Sequence, residues 1–215
     1  MESYDTLIAT LALTMGASWA SGINLYAALL MLGLGAATGN ITLPDELAIL
    51  ANPLVIGAAG VMYLIEFFAD KIPGLDSVWD AAHTFVRIPA GAMLAAGTVG
   101  DVSAAMEITA GILGGSAAAT SHATKAGTRL MINTSPEPAS NWTASLSEDA
   151  MVFAGLWAAL NHPLIFLGLF IAFIGLAIWL LPKLWALLKG LLMRIARFLH
   201  LASPPPATNK PDRET

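Results

Sequence analysis

Residues 66–87 read EFFADKIPGLDSVWDAAHTFVR and set seven ionisable side chains between segments apolar enough to lie in lipid. On a helix Glu66 and Asp70 are four residues apart and share a face, Lys71 follows, and Pro73 and Gly74 break the chain. Beyond the break Asp76, Asp80, His83 and Arg87 recur at steps of four, three and four, which places them on one stripe of a second helix starting at Asp76 or Ser77. An ionised side chain at the middle of a membrane helix costs about 2.5–3.5 kcal/mol on insertion scales, so such stripes turn toward protein or water. The stretch predicts helices packed on one another through charge.

Outward from it, the composition is that of a membrane protein. Of 215 residues 56% are hydrophobic and 12% charged, too few charges to solvate an ordinary globular surface. A chain of this length holds about five or six spans of about 20 residues. The expected fold class is all-α: a polytopic membrane helix bundle with short re-entrant or interfacial helices, as one integral membrane domain over 1–202 and a disordered polar tail over 203–215. A net charge of −5 with no basic patch outside the C-terminal region gives no reason to propose nucleic acid as a partner, and none is expected. With no cysteine, disulfides and thiol chemistry are excluded.

Upstream, residues 7–37 carry no charge and are too long for one straight span, so a break is expected near Gly16 to Gly22. Ser21 and Asn24 there either turn polar groups inward at an unwound segment or make ordinary helix–helix contacts. Asp45 and Glu46 open a segment too brief to span, and Asn52 caps a helix that begins at Pro53. Downstream, the Gly- and Ala-rich span 104–131 is expected to be central. It carries His122, Lys125 and Arg129 on one basic stripe, so four acids (Glu66, Asp70, Asp76, Asp80) would balance four bases (Lys71, Arg87, Lys125, Arg129). Residues 132–149 read as a polar loop, with Ser147, Glu148 and Asp149 starting a short helix. The last clear span runs from Pro163 to Leu181, closed by Pro182, followed by a basic helix with Lys183, Lys189, Arg194 and Arg197 on one side.

The halves 7–100 and 104–201 share an order: a small-residue helix with a polar stripe, a polar loop, an acidic pair, then Asn-Pro-Leu or His-Pro-Leu opening a span. That order suggests an inverted internal repeat of the transporter kind. The basic C-terminal region is expected in the cytoplasm.

Four segments together resemble one family. SGINLY (21–26), EFFADKIPGLDSVWDAAHTFVRIPAGA (66–92), HATKAGTR (122–129) and SLSED (145–149) are similar to the bacterial membrane-protein family DUF4126, over about residues 10 to 181. The resemblance implies a membrane location and leaves activity open. The leading expectation is a transporter or channel of the bacterial cytoplasmic membrane for an ion or small anionic solute. Its path would be lined by Glu66, Asp70, Lys71, Asp76, Asp80, His83, Arg87, His122, Lys125, Arg129, Ser21 and Asn24. The expected partners are the lipid bilayer and the solute, with a homo-oligomer left open. A second expectation is a structural or assembly protein whose ion network fixes packing. A third is a metal-dependent enzyme acting on lipid through Asp76, Asp80 and His83. No HExxH or GxSxG motif supports catalysis, and no cofactor is expected.

Overall fold

The computed structural model describes residues 2–100, 102–134 and 137–198. Among them are seven helices and no strand: α1 (Glu2–Ala37), a short 3-10 helix (Asp45–Ala51), α2 (Pro53–Ala69), α3 (Leu75–Val99), α4 (Ala104–Ile132), α5 (Pro138–Asn161) and α6 (Pro163–Phe198). Among the described residues two stretches are long and apolar enough to cross a membrane, Ser3–Ala37 and Pro163–Arg194. A third follows if the 3-10 helix and α2, bent by 66°, count as one broken span.

α1, and not the glycine-rich α4, is the central helix. It packs on the 3-10 helix and all five other α-helices. The reason is its run of small residues: Ala12, Ala17, Ala20, Ala27 and Ala28 are fully buried, with Ser18 and Ser21 among them. One side meets Val152, Leu156 and Phe166 of α5 and α6. The other meets Leu47, Leu50 and Leu94 of the 3-10 helix and α3.

Where α1, α3 and α4 converge, glycine sets the spacing. A Cβ on Gly22 would collide with the Ser121 hydroxyl and the Ala118 carbonyl, and one on Gly114 would collide with Ala95. At this closeness serines reach across to main-chain carbonyls: Ser18 Oγ donates to Gly91 O at 2.9 Å, Ser21 Oγ to Arg87 O at 2.8 Å, and Ser121 Oγ to Trp19 O at 2.9 Å. Small-residue contacts of this kind hold helices together where apolar burial offers no preference for protein over lipid.

Three boundaries differ from the sequence expectation. The helix runs through Gly16 and Gly22 and departs from helical geometry at Asn24 (φ −147, ψ 95). The polar segment 132–149 is not a loop throughout, because α5 begins at Pro138, where a missing N–H costs nothing in the first turn. Its polarity belongs to an inward face: Asn141, Ser145, Glu148 and Asp149 are all buried. Pro182 does not close the last span; α6 continues through it, and Leu181 and Leu184 on its two sides line one groove with Gly127 of α4. The tail 203–215 lies outside the described residues.

α6 is covered on one stripe only, by Phe166, Ala177 and Leu184, while Leu164, Ile171 and Ile178 are about 70% exposed. An all-round apolar helix with an uncovered face suits lipid better than water.

Candidate functional site

The charged stripes meet in the middle of the bundle. Asn52 caps α2 through the Leu54 amide at 2.9 Å, and the helix runs on to bury Glu66 on its last turns. The chain then reverses through Asp70–Gly74, where Gly74 takes φ 86, a left-handed conformation suited to glycine. α3 leaves the turn with Asp76, Asp80 and Arg87 all buried, facing His122, Lys125 and Arg129 of α4.

Each of three bases is held by carboxylates. Arg87 donates from Nη2 to Glu66 Oε1 at 2.6 Å and from Nη1 to Asp80 Oδ1 at 2.8 Å. Arg129 grips Glu148 with two parallel bonds, Nε to Oε1 at 3.0 Å and Nη2 to Oε2 at 2.6 Å, and also donates to the main-chain oxygen of Asp70 at 2.8 Å. Fork geometry of this sort is the strong form of an arginine–carboxylate pair. Lys125 Nζ lies between them, 2.7 Å from Asp70 Oδ2 and 3.5–3.6 Å from single oxygens of Glu66, Glu148 and Asp80.

The break in α1 completes the centre. A regular helix would give the Ala27 N–H to the Ile23 carbonyl; here Asn24 Oδ1 accepts it at 3.0 Å, as an N-cap does. Ile23 O accepts instead from Lys125 Nζ at 3.0 Å, and Asn24 Nδ2 donates to Asp149 Oδ1 at 2.9 Å. A single asparagine thus turns a carbonyl toward the cluster and brings in a sixth carboxylate. Glu66, Asp70, Asp76, Asp80, Glu148 and Asp149 stand buried with Lys71, Arg87, Lys125 and Arg129, an excess of two negative charges when the histidines are neutral.

This geometry lies inside the region on which the chain compares with known proteins. A family model described as Domain of unknown function (DUF4126) matches residues 11–183. The chain belongs to this family. The DUF4126 match takes in every buried charge just described and ends inside α6. No curated protein and no solved structure matches the chain.

In this DUF4126 chain Glu66, Asp70, Asp80, Arg87, Lys125, Arg129 and Asn24 come together as one network. His122 joins its edge, with Arg87 Nη1 at 3.2 Å and Thr84 Oγ1 at 2.7 Å. Four expected residues stand apart. Lys71 has no carboxylate within 4 Å among the described residues; its ammonium sits over the Phe67 ring and donates to Phe67 O at 2.9 Å. Asp76 serves the turn, accepting from the Gly74 and Ser77 amides and from Asn133 Nδ2 at 2.8 Å, with Arg129 only at 3.8 Å. His83 stacks on Trp79 at 4.1 Å and reaches Tyr26 OH at 3.2 Å. Ser21 makes the packing bond to Arg87 O.

The sequence reading missed Glu148 and Asp149 as members. The signal is present in SLSED, where Ser145, Glu148 and Asp149 follow Asn141 at helical spacing, although two acids after a serine equally fit a helix start. The four-against-four balance is therefore corrected to six acids and four bases. Asp76 is turned to the Gly74 and Ser77 amides and His83 to Trp79 and Tyr26, so Asp76, Asp80 and His83 are not assembled as a ligand set.

Proposed function

We propose that this protein is a small ion transporter or channel of the bacterial cytoplasmic membrane, binding and releasing a proton or small cation at the buried network. The observation that carries the reading is the excess of carboxylates at a break in the central helix. Buried ionisable groups in membrane helices mark ion and proton pathways, and discontinuous helices supply carbonyls to cations. The same excess argues for a cation over an anionic solute, since Arg87, Lys125 and Arg129 each already hold a carboxylate at 2.8 Å or less. On this reading Glu66, Asp70, Asp80, Glu148 and Asp149 carry the charge, and His122 stands at the edge of the path.

The proposed topology is five or six spans with repeat halves 7–100 and 104–201 and a cytoplasmic C-terminus, the bilayer being the one obligatory partner. In support, α2 and α6 each open on a proline, Pro53 and Pro163, and the exposed Lys183, Lys189 and Arg194 follow the longest apolar run. The test is ion flux in proteoliposomes under an imposed gradient. Asp70→Asn and Glu148→Gln should slow flux at least tenfold in folded protein, and no flux of protons, sodium or potassium above protein-free vesicles would reject the proposal.

A second reading, a network that only fixes packing, is favoured by the near-complete burial of Arg87, Lys125 and Arg129 at 5% exposure or less. It predicts that the reversed pair Arg129→Glu with Glu148→Arg restores wild-type behaviour. Because the chain has no cysteine, thiol labelling of Ala69→Cys, Ala82→Cys and Ala126→Cys in sealed vesicles separates a wet path from a dry network.

A further inference from the structure

The ammonium of Lys125 has the surroundings of a bound ion. Five oxygens lie within 3.6 Å of Nζ: Asp70 Oδ2 at 2.7 Å, Ile23 O at 3.0 Å, Glu66 Oε1 and Glu148 Oε2 at 3.5 Å, and Asp80 Oδ1 at 3.6 Å. They come from four helices and the turn after α2, and include a main-chain carbonyl diverted from its helix by Asn24. Only one of them, the Glu148 oxygen, belongs to a group as much as a tenth exposed.

Three of the four carboxylates are also incompletely used. Glu66 Oε2, Asp70 Oδ1 and Asp80 Oδ2 are buried with no hydrogen-bond partner, on side chains no more than 3% exposed. An uncompensated buried carboxylate oxygen is costly, and the cost falls when a positive charge is near. These are the second oxygens of carboxylates whose first oxygens face Nζ, and of those first oxygens Glu66 Oε1 and Asp80 Oδ1 are shared with Arg87 as Glu148 Oε2 is with Arg129, so the ammonium is not their sole cation. A lysine ammonium donates three hydrogen bonds at most, and Asp70 and Ile23 already take two at 3.0 Å or less.

We infer that the oxygen cage around Lys125 Nζ is a monovalent-cation site in which the lysine ammonium is a tethered occupant, and that removing this ammonium lets an alkali cation or ammonium take its place. The spacing favours a large monovalent ion: the oxygens stand farther from the centre than the 2.3–2.6 Å typical of calcium or the 2.0–2.1 Å of magnesium. The exchange conserves charge, one cation for another. An incoming cation in the wild-type chain then has to displace Lys125, which makes that lysine the gate of its own site. The inference shares its residues with the proposed ion path but concerns binding and not flux.

The experiment is thermal unfolding of purified wild-type, Lys125→Ala and Lys125→Arg protein, followed by tryptophan fluorescence. Ionic strength is held constant while N-methylglucamine chloride is replaced by lithium, sodium, potassium, rubidium or ammonium chloride. Lys125→Ala should gain about 3 °C or more in a saturable way, most with potassium, rubidium or ammonium, while wild type and Lys125→Arg respond to none selectively. Equal unfolding temperatures in all salts for folded Lys125→Ala would overturn the inference. If that variant is recovered in no salt, Asp70→Asn with Lys125→Ala removes the shortest pair together and leaves four ligands; the same selectivity supports the site and its absence overturns it. Flux separates the two claims: selective stabilisation without transport leaves the site and removes the function, and transport without selectivity does the reverse.

Discussion

Arg129→Met is the perturbation whose magnitude the structure fixes best. Arg129 is fully buried and loses four hydrogen bonds, two to Glu148 and two to the main-chain oxygens of Asp70 and Asn141. Glu148 is left as a buried carboxylate with Lys125 at 3.5 Å as its remaining ion partner, and the excess of acids rises from two to three. Removing one partner of a buried ion pair costs about 3–5 kcal/mol. For a chain of this length that is a fall of about 6–20 °C in unfolding temperature. Glu148→Leu alone leaves Arg129 unpaired and should cost a comparable amount. The double variant restores the original charge difference and replaces the pair by apolar groups, so it should lie within about 2 kcal/mol of wild type. The assay is a double-mutant cycle by thermal unfolding in detergent, with a coupling energy of about 4 kcal/mol or more expected between the two sites. Additive losses, or an Arg129→Met protein that unfolds within about 1 °C of wild type, would refute the reasoning, because the pair would then not be desolvated as described.

Lys71→Met should cost about 1 kcal/mol by the same assay, since Lys71 contacts a ring, a carbonyl and the Ser145 hydroxyl and no carboxylate within 4 Å among the described residues, whereas Lys125→Met should lose several times more. Asn24→Ala removes both the Ala27 cap and the Asp149 bond and should destabilise by about 2 kcal/mol; Asn24→Asp sets a second acid beside Asp149 and should be worse. Gly22→Ala forces a methyl group onto Ser121 and Ala118 and should lose about 1–3 kcal/mol, while Gly57→Ala, which meets open space, should be neutral or slightly stabilising. Equal loss at the two glycines would remove the close-packing argument.

The charged stripes were legible because charge at helical spacing within apolar sequence has few places to go. The steps from Asp76 to Arg87 and from His122 to Arg129 predicted two faces, and Arg87, Lys125 and Arg129 do meet carboxylates from outside their own helices. Asn52 and Pro53 announced the start of α2 for local reasons that tertiary structure did not override. The misjudged parts share a cause. Ser, Asn and Pro between 132 and 149 look alike whether they face water or a buried ion network, and only the fold shows that Asn141 and Glu148 point inward. Likewise α1 reads as one more small-residue helix. Its small residues allow neighbours on every side, but α4 carries a run of the same kind, GILGGSAAA, so sequence alone does not choose between them. The break at Asn24 was displaced in expectation toward glycine, whereas an asparagine that can cap from inside a helix is the stronger cause.

The pairings in the network also impose an order on biosynthesis. Glu66 and Arg87 are close in sequence and can neutralise each other as soon as the second of them has left the ribosome. Lys125 closes back onto Asp70, so that acid waits through the whole of α3 and much of α4 for its partner. Arg129 finds its fork only when Glu148 has been made. A chain that ends before residue 148 therefore carries a guanidinium that can reach the Asp70 carbonyl but has no acid to grip it in a fork, and the interior of the bundle is complete in charge only once α5 is in place.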